Sequence, residues 1–219
     1  HIAKQSLEEV KRHIEEEKPD IIAIELDDKR LGALMSKRPK RIELRNIKSV
    51  GLKGFIFSLL GAWAERKLGK LVGVAPGSEM RNAVKISKRK GIKIALIDQD
   101  IEVTLQRLSK AITWKEKRHF LVDVLKAFFI RDKIIEFDLT KVPNKKIIKK
   151  LVSKLKERYP NVHKVLIEER NFVIANNIKK LVKSFPDKKI LIVLGAGHID
   201  EVLELVEGEP KISFSFSIA

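Results

Sequence analysis

Three apolar stretches of the sequence end in residues that chemistry uses and a hydrophobic core does not. They are Glu25 after residues 21–24, Asp98 after residues 92–97, and Gly195-Ala196-Gly197-His198 after residues 190–194. A carboxylate or an imidazole can ligate a metal ion or move a proton, and flexible backbone at a helix start presents free N–H groups to an anion or a polarised water. His198 in that setting reads as a metal ligand, a base or a cap of the turn. Gly195 and Gly197 do not make a dinucleotide fingerprint, because Asp200 stands where the third glycine belongs. His13, His119 and His163 have no comparable setting and read as ordinary surface or partly buried residues.

In open α/β sheets, ligands bind beyond the carboxyl ends of the strands, so these residues converge if the three stretches are parallel neighbours. The intervening sequence supplies the elements to arrange them so. Ser6-Leu7-Glu8-Glu9 is a capping-box pattern, and Leu7, Val10 and Ile14 continue at helical spacing until Lys18-Pro19 stops the run. Residues 21–24 are uninterruptedly apolar, as suits a strand buried on both faces. Helical periodicity recurs over residues 28–35, 50–71, 78–91, from 101 to 108, and over 114–129 and 144–159. It returns in a longer segment opened by Pro160, and again through Val202 and Leu205. Residues 39–48 form a basic connection. Ile212, Phe214, Phe216 and Ile218 alternate with polar residues, which predicts a last strand with one wet face. Together these predict an α/β fold with a mixed, partly parallel central sheet flanked by helices.

The composition agrees with one such domain. Of 219 residues, 44% are hydrophobic and 34% charged, enough apolar material for a packed core. No cysteine is present, which removes disulfides, zinc fingers, iron–sulfur clusters and thiol nucleophiles, so any metal must sit on His, Asp, Glu or water. The formal charge of +17 comes from 33 Lys and 13 Arg against 29 acidic residues. That raises nucleic acid as a partner, but a lysine-rich surface of the heat-adapted kind is the preferred reading over a nucleic-acid binder. No stretch reaches the roughly 18 to 20 apolar residues of a membrane-spanning helix, and charged residues interrupt any N-terminal signal. The expected location is cytoplasmic or membrane-associated, with any membrane contact made through segments absent from this sequence.

The order of several short motifs resembles the TraB/PrgY/GumN family, most of all its archaeal members, over nearly the whole chain. The motifs are Glu25-Leu26-Asp27-Asp28-Lys29-Arg30, Pro76-Gly77-Ser78-Glu79-Met80, Ile97-Asp98-Gln99-Asp100 with Thr104 and Arg107, Glu169-Arg170-Asn171, and Gly195-Ala196-Gly197-His198. His1-Ile2-Ala3-Lys4-Gln5-Ser6 resembles the tail of the family's first Gly-x-x-His motif, so a single domain over residues 1–219 lacking its opening strand is expected. Two departures stand out. Gln99 replaces a usual arginine, and Asn171 replaces a usual aspartate.

The resemblance implies a fold similar to the erythromycin esterase and ChaN proteins. It implies a metal-dependent hydrolase, related to the Tiki peptidases, acting on a peptide or related small substrate. A non-catalytic ligand-binding or membrane-associated regulatory domain is the alternative it leaves. On this reading His1, Glu25 and His198 hold Mn, Co or Zn, Glu79 or Glu169 serves as base, and Arg30 or Arg170 stabilises an oxyanion. Gly195 and Gly197 shape the binding loop. Each arginine has a second reading, an ion pair that orients a neighbouring carboxylate. Glu169 and Arg170 are consecutive on a helix and point about 100° apart, so only one of them is expected to enter the site. A homo-oligomer is compatible with this reading.

Overall fold

The computed structural model describes residues 2–36, 77–129 and 145–207. The expected helix over 50–71, the basic connection over 39–48 and the alternating strand over 212–218 lie outside them. So does His1.

Helix α1 (Ile2–Glu17) ends where Lys18 takes a positive φ of 45° and Pro19 follows, the stop that the sequence carries. It delivers the chain to β1 (Ile21–Ile24). Helix α2 (Asp28–Met35) follows at once, and α3 (Ser78–Lys90) leads into β2 (Lys93–Leu96) through Gly91, whose φ of 69° is a left-handed helix ending that favours glycine. Helices α4 (Ile101–Ala111), α5 (Trp114–Phe129) and α6 (Lys145–Arg158) come next. A long helix then opens with Pro160 at its first position as α7 (Pro160–His163) and passes through a π turn (Lys164–Glu168). It continues as α8 (Glu169–Ser184). Strand β3 (Ile190–Val193) and α9 (Ile199–Val206) complete the described chain.

Among the described residues the sheet has three strands in the order β2-β1-β3, and both pairings are parallel. The sheet expected to be mixed is parallel throughout these three strands, and the strand expected over 212–218 lies outside the described residues. Ile24 is in register with Leu96 on one side and Val193 on the other, so all three strands finish at one level.

The centre strand is buried throughout, and its alternating side chains feed two cores. Ile22 and Ile24 pack with Ile14 of α1 and Met80, Ala83, Val84 and Ile86 of α3. Ala23 faces the other way, with Ile97, Ile174, Ala175 and Ile178 of α8 and Val202 and Val206 of α9. Helices thus cover both faces of the sheet, which leaves the strand ends as the place where polar side chains meet. No helix of the described residues is long and apolar enough to cross a membrane.

Candidate functional site

Glu25 follows β1 directly, its N–H donating to Val193 O at 3.2 Å, and Asp98 sits two residues past β2 with Ile97 N–H bound to Ile24 O at 3.1 Å. Those backbone bonds extend the ladder past the strands and hold both carboxylates at one edge. Asp27 ends the turn after β1 as the N-cap of α2, accepting from Lys29 N at 2.8 Å and Arg30 N at 3.0 Å. Its other oxygen takes Arg30 Nε, so the Glu-Leu-Asp-x-x-Arg spacing is that of a cap and the cation one turn later that folds back on it.

From Asp27 the charges form a continuous row in which the carboxylates are buried and the arginines partly so. Arg30 Nη2 reaches Asp98 Oδ2 and also donates to Gln99 O at 3.3 Å. Arg170 of α8 donates to Asp98 Oδ1 from Nε at 3.1 Å, and to Asp98 Oδ2 and Glu25 Oε1 from Nη2, both at 2.6 Å. Its Nη1 donates to Leu166 O at 3.2 Å, inside the π turn. Glu25 Oε2 accepts the N–H of Gly195 at 2.7 Å. His198 Nε2 stands 3.3 Å from Glu25 Oε1, and its Nδ1 lies 2.5 Å from Asn171 Oδ1. Asn171 Nδ2 in turn donates to Glu201 Oε2 at 2.5 Å.

Burial works against the ionised form of Asp98, but the hydrogen bonds and charges of Arg170 and Arg30 outweigh it and hold its carboxyl below the usual carboxylate range. For Arg170 burial again opposes the charge, and Asp98 and Glu25 outweigh it and raise its pKa. His198 is moved the other way. Burial, helped by the Arg170 charge, exceeds the attraction of Glu25, Asp98 and Glu201 and lowers its pKa, favouring the neutral ring.

Glu25, Arg30, Arg170, Gly195 and His198 are therefore brought together, and both arginines serve ion pairs that orient carboxylates. Of the two consecutive helical residues, Arg170 enters the cluster. Glu169 turns to α4 and takes a two-pronged bond from Arg107, Nε to Oε2 at 2.5 Å and Nη2 to Oε1 at 2.7 Å, which holds it below the usual carboxylate range. Glu79 is half-buried in the first turn of α3, an element that contributes no residue to the cluster among the described contacts. Gly197 borders open space, whereas a Cβ on Gly195 would meet Glu25 Oε2 at 3.1 Å.

Three residues of the cluster carried no role in the sequence reading. Asp27 had a signal, since the cap-and-cation spacing is local. Asn171 registered only as a lost carboxylate, yet its amide bonds on both sides. Glu201 stands one helical turn after His198, a spacing that places both on one face. Gln99, read as a lost cation, donates from Nε2 to Thr104 Oγ1 at 2.9 Å. His163, read as a surface or partly buried residue, is almost fully buried, with Nδ1 3.2 Å from Glu168 Oε1. Helical phase puts position 163 on the apolar face of its helix.

Among the described residues the strand ends meet in packed side chains. A cavity of about 450 Å³ lies next to them, between Gln99, Arg107, Lys164, Glu168, Glu169, Phe172 and Val173. Its lining includes neither Glu25 nor His198.

Among the described residues no three His, Asp or Glu side chains are grouped closely enough to enclose a metal ion. His198 Nε2 and Glu25 Oε1 are of the donor types a divalent ion takes, but they are two where a protein site supplies three or more. A neutral imidazole nitrogen without its proton and a carboxylate oxygen are both electron-pair donors, and here they face each other.

The sequence comparisons agree with the motifs. A family model described as TraB/PrgY/gumN matches residues 1–207. An uncharacterized protein of Methanocaldococcus jannaschii, MJ1365, is 34% identical over 213 residues, covering 94% of this chain and 51% of its own. TraB domain-containing proteins of Mus musculus and Homo sapiens are 24% and 22% identical over 196 and 194 residues, each covering 84% of this chain and 51% of theirs. The chain spans about half the length of the curated relatives it matches. With four of its five motifs represented at one sheet edge and the family model matched over residues 1–207, the chain belongs to the TraB/PrgY/gumN family.

Proposed function

We propose that this domain is a divalent-metal-dependent hydrolase acting on a peptide or related small substrate, with its reaction centre at the Glu25–His198 end of the sheet. The observation that carries this reading is the 3.3 Å approach of His198 Nε2 to Glu25 Oε1 inside a buried polar cluster. With Nε2 unprotonated, the two groups are facing electron-pair donors of the kind a divalent ion takes, beside an Arg170 cation that already balances the Glu25 charge. A bound divalent ion such as Mn²⁺, Co²⁺ or Zn²⁺ lowers the pKa of water and polarises a carbonyl group. Glu25 and His198 would hold it, with His1 as the third expected ligand. Arg170 fixes the Glu25 carboxylate from one side and the Gly195 N–H from the other, so the carboxylate costs no reorganisation when it binds. Glu169 acts as base only after leaving Arg107, and Glu79 is the second candidate.

The alternative is a domain that binds a ligand without turning it over. It is favoured by one observation: both oxygens of Glu25 already accept hydrogen bonds. Thermal unfolding of the chelator-treated chain tests the metal on which the hydrolase reading depends, and release of a new amine or carboxylate from a peptide library by the metal-loaded chain separates turnover from binding. If the reading is right, added Mn²⁺ or Zn²⁺ raises the melting temperature by mass action. His198→Ala and Glu25→Gln lose the response, and His13→Ala keeps it. Equal shifts in all four proteins, or no shift in any, defeat the metal reading.

A further inference from the structure

The Glu201–Asn171–His198 row decides which imidazole nitrogen carries the proton. An ionised carboxylate only accepts hydrogen bonds, so Glu201 Oε2, 2.5 Å from the Asn171 amide, must face the NH₂ end of that amide. Glu201 lies in the first turn of α9. The Asn171 oxygen is thereby turned to His198 Nδ1 at 2.5 Å. Because that oxygen also only accepts, His198 must donate from Nδ1. A neutral ring has one N–H, which leaves Nε2 bare and facing Glu25 Oε1 at 3.3 Å.

Glu25 by itself would select the opposite form. A proton on Nε2 would donate to its carboxylate and remove the opposition of lone pairs. The two ends of the row therefore compete. Asn171 is 1% exposed, so no solvent is at hand to satisfy a wrongly turned amide.

We propose that Asn171 and Glu201 are positioning residues that impose the Nδ1–H tautomer on His198 and so keep Nε2 free as an electron-pair donor beside Glu25. This deepens the reading of the Glu25–His198 pair as a cation site and rests on it for the use made of Nε2. The tautomer itself follows, for a neutral ring beside an ionised Glu201, from the hydrogen-bond pattern and needs no cation.

The test is a long-range ¹⁵N–¹H correlation spectrum of the histidine-labelled, metal-free chain at about pH 8, above the ordinary imidazole range. His198 is expected to show a protonated Nδ1 and a bare Nε2. Asn171→Leu is expected to show the reverse pattern, and Asn171→Asp, which keeps an acceptor oxygen, the wild-type pattern. Glu201→Gln frees the Asn171 amide to turn and is expected to show both forms. A protonated Nε2 in the wild type overturns the proposal without requiring any variant to fold. Persistence of the single Nδ1–H form in Asn171→Leu, or in Glu201→Gln, overturns it as well. Zn²⁺ is then added to the same sample. An unmoved Nε2 resonance on an otherwise expected spectrum defeats the cation reading and leaves the tautomer assignment standing.

Discussion

Arg170 grips the Asp98 carboxylate with two nitrogens, Nε at 3.1 Å from one oxygen and Nη2 at 2.6 Å from the other, across 72 residues of sequence. Arg30 reaches the same carboxylate from α2, so one anion joins two helices to the end of β2. Removing one member of a buried ion pair leaves the others desolvated and unpaired. Asp98→Asn should therefore cost about 3–5 kcal/mol of stability, read from the midpoint of urea unfolding. Arg107→Ala breaks a pair whose cation is mostly exposed and should move the midpoint far less. Similar losses in the two variants would show that the Asp98 cluster is no more than surface electrostatics.

The same carboxylate gives stability a definite dependence on pH. Its folded pKa is held below the unfolded value of about 3.9. The unfolded chain therefore binds more protons in the acid range, and the contribution of Asp98 is complete above that value. It is lost as pH falls through the lower folded pKa. Glu169 and Glu116 are shifted in the same direction, so the wild-type curve alone does not isolate Asp98. The difference between wild type and Asp98→Asn does. Circular dichroism melts should show that difference constant above about pH 5 and shrinking below about pH 4. A difference that grows on acidification would contradict the ion-pair assignment.

Much of this edge was legible from local pattern. Residues 21–24 read as a buried strand because four consecutive apolar residues between Asp20 and Glu25 fit no amphipathic element, and β1 occupies those residues. Convergence of Glu25, Asp98 and the Gly195–His198 turn followed from parallel strands ending in register. Long-range partners were not legible. Nothing near Asp98 says that Arg170, and not Glu169, turns toward it, because the choice depends on the phase of α8. That phase is set by the π turn, where Glu169 N–H bonds back to Lys164 O, five residues earlier. A π turn has no residue signature of its own. The partners of Asn171 were not legible for a related reason. In sequence an amide looks like a weakened carboxylate, and only the position of Glu201 shows why a group that both donates and accepts is needed there.

A second buried carboxylate, away from this cluster, offers a structural control. Glu116 accepts from Thr113 N and Oγ1, both at 3.0 Å, and from Asn161 N at 2.8 Å and Nδ2 at 3.1 Å. It thereby closes the start of α5 and the start of the Pro160 helix with one side chain. Glu116→Ala leaves those donors without a partner and should cost about 1–3 kcal/mol. Hydrogen exchange should quicken at the first turns of both helices. A cation-induced rise in melting temperature, where the wild type shows one, should survive unchanged. Loss of that response would mean that stability and cation binding cannot be separated by distance in this fold.

The two glycines before His198 are not equivalent, although the sequence shows them as a pair. A Cβ on Gly195 would stand 3.1 Å from Glu25 Oε2 and 3.8 Å from His198 Cδ2, whereas one on Gly197 would meet nothing within 4 Å. Glu25 cannot easily yield. Arg170 holds one of its oxygens at 2.6 Å and the Gly195 N–H holds the other at 2.7 Å. Gly195→Ala should therefore act as an overpacked core substitution, costing about 1–3 kcal/mol and displacing the carboxylate that faces His198. Any cation-induced stabilisation should weaken with it. Gly197→Ala should be neutral or slightly stabilising, within about 1 kcal/mol, because a methyl group in open space mainly restricts the unfolded chain. Melting curves of the two variants, with and without Mn²⁺, check both halves. Equal behaviour would show that the loop needs glycine for some property of its backbone shared by the two positions, and that contact with Glu25 is not what selects residue 195.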